Sequence, residues 1–418
     1  MAKISKIPSI PTPPTPTLKA SAGTCSDTSS KAKTSFPYSI IDGLASKFAK
    51  TYCKRLEVPP EFMYIAFLTC LGSVLAKKLT ITTEIKPQPR LYILLLGESA
   101  DDHKSTAIDK TVEFFEYALG DNNSGDKPQL NVCRGTGSAE GLAKILNKRN
   151  NTLLCYDEFK SFISKAKIQS STLLQCVNSL FESNRYENQT SRSGIIIKNG
   201  LLSLLAASTI ETYEAAWEKS FTAIGFNNRL FIVPGSGTRA HSIPPKIPDK
   251  DKFVLAIELR KIIRFVGRSR ELNITTTAKD MYHEWYMSRP ISIHSKRLDG
   301  YALRFMELIA VNKRAKIINA EIANSAIELM DWQFEMRRLH DPIDADNVMA
   351  KMEEKIRRVL SRKDGKTGKL VELADRKLKQ FTNANRTGLF FYNRARNNLR
   401  DGDEIIFNVK TGLWSLNE

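Results

Sequence analysis

Between Leu79 and Val233 short β-prone runs alternate with stretches of helical period, and that alternation leaves the chain few folds to choose from. The runs fall at 79–84, 91–96, 130–133, 153–156, 201–207 and 230–233. Runs that are apolar throughout suit strands buried on both faces, so the reading is an α/β fold with a mostly parallel sheet covered on each side. Helices are expected at 105–119, 138–146, 173–181 and 211–219.

Two helices precede this region, at 40–53 and 61–77, separated by Pro59-Pro60, a pair suited to opening a helix. Residues 1–35 carry Pro8, Pro11, Pro13, Pro14 and Pro16 among Ser, Thr and Lys, and have too few apolar groups to offset ordering. They read as a disordered tail. After a Pro-rich stretch, 251–340 read as helix after helix. From 351 the order is helix, helix, helix, then two short strands at 405–407 and 413–416, the pattern of a winged helix-turn-helix. The expected divisions are a tail (1–35), a helical cap (36–78), an α/β core (79–245), a helical lid (246–350) and a winged helix (351–418).

Lys and Arg number 63 against 45 Asp and Glu, a net charge of +18, which favours a polyanion as partner. The longest apolar runs are strand-length, short of the roughly 20 residues that cross a bilayer. The basic N-terminus lacks the apolar stretch of a secretory signal, so a cytoplasmic location is expected. Cysteines at 25, 53, 70, 133, 155 and 176 show no C-x-x-C spacing, which argues against a zinc site or a disulfide framework.

The run ending at Gly97 leads into ESADDH, and Lys104-Ser105-Thr106 then opens a helix. Strand, loop, Lys and hydroxyl are the parts of a P-loop: the loop holds phosphate, the Lys meets the β and γ groups, and the hydroxyl holds Mg²⁺. The spacing departs from the consensus. Six residues rather than five separate Gly97 from Lys104, His103 stands where a Gly is usual, and Asp101 and Asp102 bring negative charge towards the phosphates. An ordinary strand–loop–helix turn is the competing reading. Asp157-Glu158 follows the next-but-one apolar run, where an Asp can hold Mg²⁺ and a Glu can polarise water, although such pairs also cap helices. Gly135, Gly137 and Gly141 loosely suggest a dinucleotide loop, but the last spacing is wrong by one and Ser138 reads better as a helix cap.

The segments VPPEFMYIAFLTCLGSVLAKKLTI, GTGSAEGLAKIL, LLCYDEF, CVNSLFESNRYENQTSRSG, LLSLLAASTIETY, GFNNRLFIVPG and YALRFMELIAVN occur in an order that resembles the helicase half of phage and plasmid primase–helicases. That family is of AAA+ type, close to superfamily III, and the resemblance spans about residues 37–330. It implies an ATP- and Mg²⁺-dependent DNA helicase or origin-remodelling ATPase for a mobile element. The implied assembly is a homo-oligomer, a hexameric ring, with a separate primase as a further partner. Lys104, Ser105, Thr106 and Gly97 would hold phosphate, Ser105 and Asp157 the metal, and Glu158 the attacking water. Ser208 and Thr209 would orient that water, Arg229 would be a finger offered to the neighbouring subunit, and Arg304 a lid sensor. The hairpin expected over 185–198 would grip single-stranded DNA through Arg192, with a solvated loop as its alternative. The departures in the loop leave a second reading, a non-hydrolysing DNA-binding replication or regulatory factor.

Residues 351–418 hold 16 Lys and Arg and 9 Asp and Glu, a surplus of +7. Arg394, Arg396 and Arg400 on the last helix, with Arg386 before it, are candidates for duplex DNA. Phe390, Phe391 and Tyr392 read as core. A protein-docking role for the module is the alternative.

Overall fold

A computed structural model describes residues 35–98, 102–120, 129–189, 194–216, 224–237, 240–341, 348–362 and 369–417. The expected tail, apart from Ser35, lies outside the described residues. The chain opens with α1 (Gly43–Leu56) and α2 (Pro60–Leu75), and Pro60 takes the first helical position, where its missing N–H costs nothing. Every residue of α2 after Pro60 is buried, which is why its sequence shows no polar stripe.

Next come β1 (Leu79–Ile81), β2 (Tyr92–Gly97), α3 (Lys104–Leu119), β3 (Val132–Arg134), α4 (Ala139–Lys148), β4 (Asn151–Tyr156), α5 (Phe159–Ala166) and α6 (Leu173–Glu182). A hairpin of β5 (Tyr186–Gln189) and β6 (Gly194–Ile197) leads to β7 (Leu201–Thr209), α7 (Ile210–Ala216) and β8 (Phe231–Pro234). The main sheet has the order β3-β4-β7-β2-β8 and every pair in it is parallel. Strand β2 is buried along its whole length and β7 along all but its last residue, as strands covered on both faces must be. The protein is thus mixed α/β around a parallel sheet, and no helix among the described residues is long and apolar enough to cross a membrane.

The following stretch holds α8 (Asp249–Val266), β9 (Arg270–Ile274), α9 (Thr276–Ser288), α10 (Leu298–Asn312), β10 (Ile317–Ile318) and α11 (Ala320–His340). Two corrections arise here. First, β1 lies outside the main sheet and pairs in parallel with β9, which also pairs with β10. Strands of two to five residues, with Leu272 the only buried residue of β9, carry too little alternation to read from sequence. Second, 246–350 does not form a separate lid. Its helices share one continuous hydrophobic core with α1, α2 and the sheet, running from Phe36 to Met336. Strand β8 is an edge strand, and α11 covers that edge: the Gln333 side-chain amide donates to the Ile232 carbonyl at 2.8 Å and accepts from its N–H at 3.1 Å.

The C-terminal part has its own core, built on Met352, Ile356, Leu378, Tyr392, Leu399 and Trp414. It comprises α12 (Val348–Leu360), β11 (Leu373–Ala374), α13 (Asp375–Phe381), α14 (Ala384–Thr387), α15 (Leu389–Asp401), β12 (Ile405–Asn408) and β13 (Leu413–Leu416). Its antiparallel sheet has the order β11-β13-β12. Phe390, expected in the core, is instead 65% exposed, while Tyr392 is buried.

Candidate functional site

Because the main sheet is parallel, the C-terminal ends of β4, β7 and β2 open on one side, and a pocket of about 570 Å³ lies there. The start of α3 and the residue before it supply Lys104, Ser105, Thr106 and His103, and the chain after β4 supplies Asp157, Glu158, Phe159 and Lys160. The end of β7 and the start of α7 supply Ala207, Ser208, Thr209 and Thr212. Three groups of residues more than 45 positions apart in sequence thus meet in one cavity.

The first bond of α3 runs from the Ala107 N–H to the His103 carbonyl at 3.0 Å, so the N–H groups of Lys104, Ser105 and Thr106 have no partner within the helix. They favour an anion at this end. The Lys104 ammonium donates to the Glu98 carbonyl. Its burial pulls the lysine pKa below the ordinary value, and the charges of Asp102 and Glu98 oppose the shift. His103 has φ +49°, the left-handed conformation that glycine adopts freely, so the loop shape survives the departure from Gly.

Asp102 overturns the expectation that its charge confronts the phosphates. It is 3% exposed, and its carboxylate is turned inward, accepting from the Glu98 N–H and, at 2.8 Å, from the Gly237 N–H beyond β8. It staples the loop to the chain after the edge strand. Asp101 lies outside the described residues. Gly97 belongs to the same staple, because a Cβ there would stand 2.6 Å from Asp102 Oδ2. Gly97→Ala is expected to push Asp102 out of place and lower stability by about 1–3 kcal/mol, the usual range for overpacking. Thermal unfolding of the variant measures it, and an unchanged midpoint would contradict the staple.

Asp157 and Glu158 are exposed to the pocket, and neither has an ion-pair partner among the described residues. Ser208 is buried and donates to the Thr209 carbonyl at 3.0 Å. The Thr209 hydroxyl accepts from the Thr212 N–H at 3.1 Å and donates to the Thr212 hydroxyl at 2.8 Å, which fixes it at the start of α7. No group of three or more metal-binding side chains occurs among the described residues. Ser105 and Asp157 both line the pocket, a hydroxyl and a carboxylate of the kind that could hold Mg²⁺, which takes few protein ligands and completes its shell with phosphate and water.

Several expected residues lie elsewhere. Arg304 is a correction: it is 6% exposed, stacks over Phe181 at 4.0 Å, and donates to the carbonyls of Arg90 at 2.7 Å and Phe181 at 2.8 Å. Those acceptors sit just before β2 and at the end of α6, so Arg304 is at the N-terminal end of β2, away from the pocket at the other end of that strand. Arg229 is half-buried before β8, outside its own chain's pocket, with Nη1 on the Gly225 carbonyl at 2.8 Å. In the C-terminal module Arg396 is also a correction. It pairs with Asp375 and stacks on Tyr392 and Trp414, holding the module together. Arg394 and Arg400 are exposed, the latter paired with adjacent Asp401 at 2.9 Å, and Arg386 pairs with Glu211 of α7. Arg192 lies outside the described residues.

Sequence reasoning missed Lys160 and Thr212 in the pocket. The T-x-x-T spacing of Thr209 and Thr212 was a readable capping signal. No family model and no curated protein matches the chain.

Proposed function

We propose that the chain is a P-loop ATPase of AAA+ type that remodels or unwinds DNA during replication of a phage, plasmid or other mobile element. The observation that carries this is the single pocket in which Lys104-Ser105, Asp157-Glu158 and Ser208-Thr209 meet at the ends of three adjacent parallel strands. A triphosphate laid against the first turn of α3 would meet unpaired N–H groups and the Lys104 ammonium. Strand β7, inserted between β2 and β4, brings the polar end of its own run between the phosphate-binding residues and the carboxylates. Glu158 there can accept a proton from an attacking water that Thr209 helps to orient. Ser105 and Asp157 would hold Mg²⁺, which supplies positive charge to the phosphate oxygens when bound. Mg²⁺-dependent ATP hydrolysis, measured with and without single-stranded DNA, tests this reading.

The C-terminal module, with three main helices and a small antiparallel sheet, is read as a winged helix on duplex DNA, with Arg394 and Arg400 facing phosphates. Its separate core supports independent folding. Removal of 348–418 is expected to cut duplex affinity and flatten its salt dependence while leaving ATP hydrolysis in place, because phosphate contacts set the salt slope. Equal affinity and slope in a filter-binding titration would point to a protein-docking module. The β5–β6 hairpin is read as the single-strand contact. Arg229, absent from its own pocket, supports a ring of copies in which it serves the neighbour. A second reading, a DNA-binding factor that does not hydrolyse ATP, is favoured by the Lys104 bond to the Glu98 carbonyl and by a histidine at a left-handed position.

A further inference from the structure

We infer that Tyr301 and Arg337 are positioning residues for Arg229, a clamp that fixes the backbone of the finger while leaving its side chain free to swing; the inference rests on the trans-acting finger proposed above. Three consecutive carbonyls are held, and from two helices. Arg337 of α11 donates through Nη2 to the carbonyls of Asn228 at 3.0 Å and Leu230 at 2.9 Å. The carbonyl between them, that of Arg229 itself, accepts from the Tyr301 hydroxyl of α10 at 2.7 Å. The backbone N–H of Arg229 is also committed, to the Phe226 carbonyl at 2.9 Å.

The clamp is costly to build, which argues that it does more than fill space. Arg337 is fully buried, and its Nη1 bonds the carbonyls of Lys296 at 2.8 Å and His294 at 3.2 Å. All four Nη protons therefore rest on carbonyls rather than on a carboxylate. A guanidinium buried in this way is harder to accommodate than an apolar side chain of similar volume. Part of its role is to cover the open edge of β8, as Gln333 does one turn earlier. Tyr301 contributes nothing to that edge beyond Arg229: its hydroxyl lies 3.0 Å from the Tyr92 carbonyl and 3.3 Å from the Tyr92 N–H, so it ties the Arg229 backbone to the first residue of β2. The strand that ends at the phosphate loop and the residue offered to the neighbour are thus joined through one hydroxyl.

The side chain is held more weakly. Its Nη1 rests on the Gly225 carbonyl at 2.8 Å and reaches the Ile224 carbonyl only at 3.5 Å, Gly225 has φ +70°, and the buried Nε has no hydrogen-bond partner. A buried donor left unpaired is a standing cost that an acceptor in a neighbouring subunit would relieve. A fixed backbone and an under-bonded side chain suit a residue that must reach an anion without carrying its loop along, since misplacement by about 1 Å can cost a hundredfold in rate.

The test is steady-state ATP hydrolysis by the full chain on single-stranded DNA, comparing wild type, Arg229→Ala, Tyr301→Phe and the double variant. Tyr301→Phe keeps the ring packed against Phe181, Phe231 and Phe305, so the fold is retained and only the hydroxyl is lost. Its kcat is expected to fall about tenfold with KM for ATP unchanged, and to add little to the loss in Arg229→Ala. Arg337→Lys, which keeps the charge but not the four-way geometry, should lower kcat in the same sense. A Tyr301→Phe kcat within about twofold of wild type, beside an inactive Arg229→Ala, overturns the clamp and leaves the finger standing. Full additivity in the double variant also overturns it, because the hydroxyl would then act independently of Arg229. Wild-type activity in Arg229→Ala overturns the finger and the clamp together.

Discussion

Lys104→Ala and Glu158→Gln are each expected to lower Mg²⁺-dependent ATP hydrolysis by about a hundredfold or more, but for different reasons and with different effects on binding. Lys104 begins α3 at the mouth of the pocket, where its ammonium can turn from the Glu98 carbonyl to a phosphate oxygen. Its removal takes away positive charge felt by both bound nucleotide and transition state, so affinity and turnover should fall together. In the proposed reaction Glu158 would meet only the attacking water. A glutamine keeps its size and cannot accept the proton, so the variant should bind ATP as wild type does and fail to turn it over. A fluorescent ATP analogue titrated against both variants, beside a phosphate-release assay, separates the two. Wild-type turnover in Glu158→Gln would remove Glu158 as the base, whereas turnover in the wild-type protein no higher than in both variants would remove the ATPase reading and leave the non-hydrolysing factor.

That both residues could be named from sequence follows from where their strands end. An apolar run that must be buried, followed at once by charged and hydroxyl residues, marks the C-terminal end of a strand, and a parallel sheet gathers such ends on one side. Gly97, Tyr156 and Thr209 each end a strand in that way. What could not be read is any role set by a partner far off in the chain. Asp102 looked like a repulsive charge because its acceptor role depends on the Gly237 N–H, 135 residues away. Arg304 lies on a helix whose neighbours are apolar, and the carbonyls it serves belong to Arg90 and Phe181. Arg396 differed from Arg394 only by facing Asp375 and two aromatic rings. In each case the residue type allowed both roles and the packing chose one.

The same helix that misled about Arg304 carries Glu307, whose burial makes a pH-dependent stability the expected result. Glu307 is fully buried, and neither carboxylate oxygen has a hydrogen-bond partner among the described residues. Burial pushes its carboxyl well above the ordinary range, and the nearby Arg304 charge opposes this only in part. The Arg304 guanidinium is already engaged by the two carbonyls it braces. In the unfolded chain Glu307 ionises near pH 4.3, about the usual value for glutamate. Below that pH it is neutral in both states and folding is unopposed. Above it the unfolded chain releases the proton while the folded chain keeps it, so stability falls as pH rises, by up to about 1.4 kcal/mol per unit, until the raised folded pKa is passed. Glu307→Gln has nearly the same shape and no proton to lose. The variant should therefore gain on wild type as pH goes from 5 to 7. Urea unfolding of both proteins at pH 5, 6 and 7 measures it. A gap that stays constant over this range would mean that the carboxyl does not remain protonated in the folded state, and that Arg304 compensates it despite being bound elsewhere.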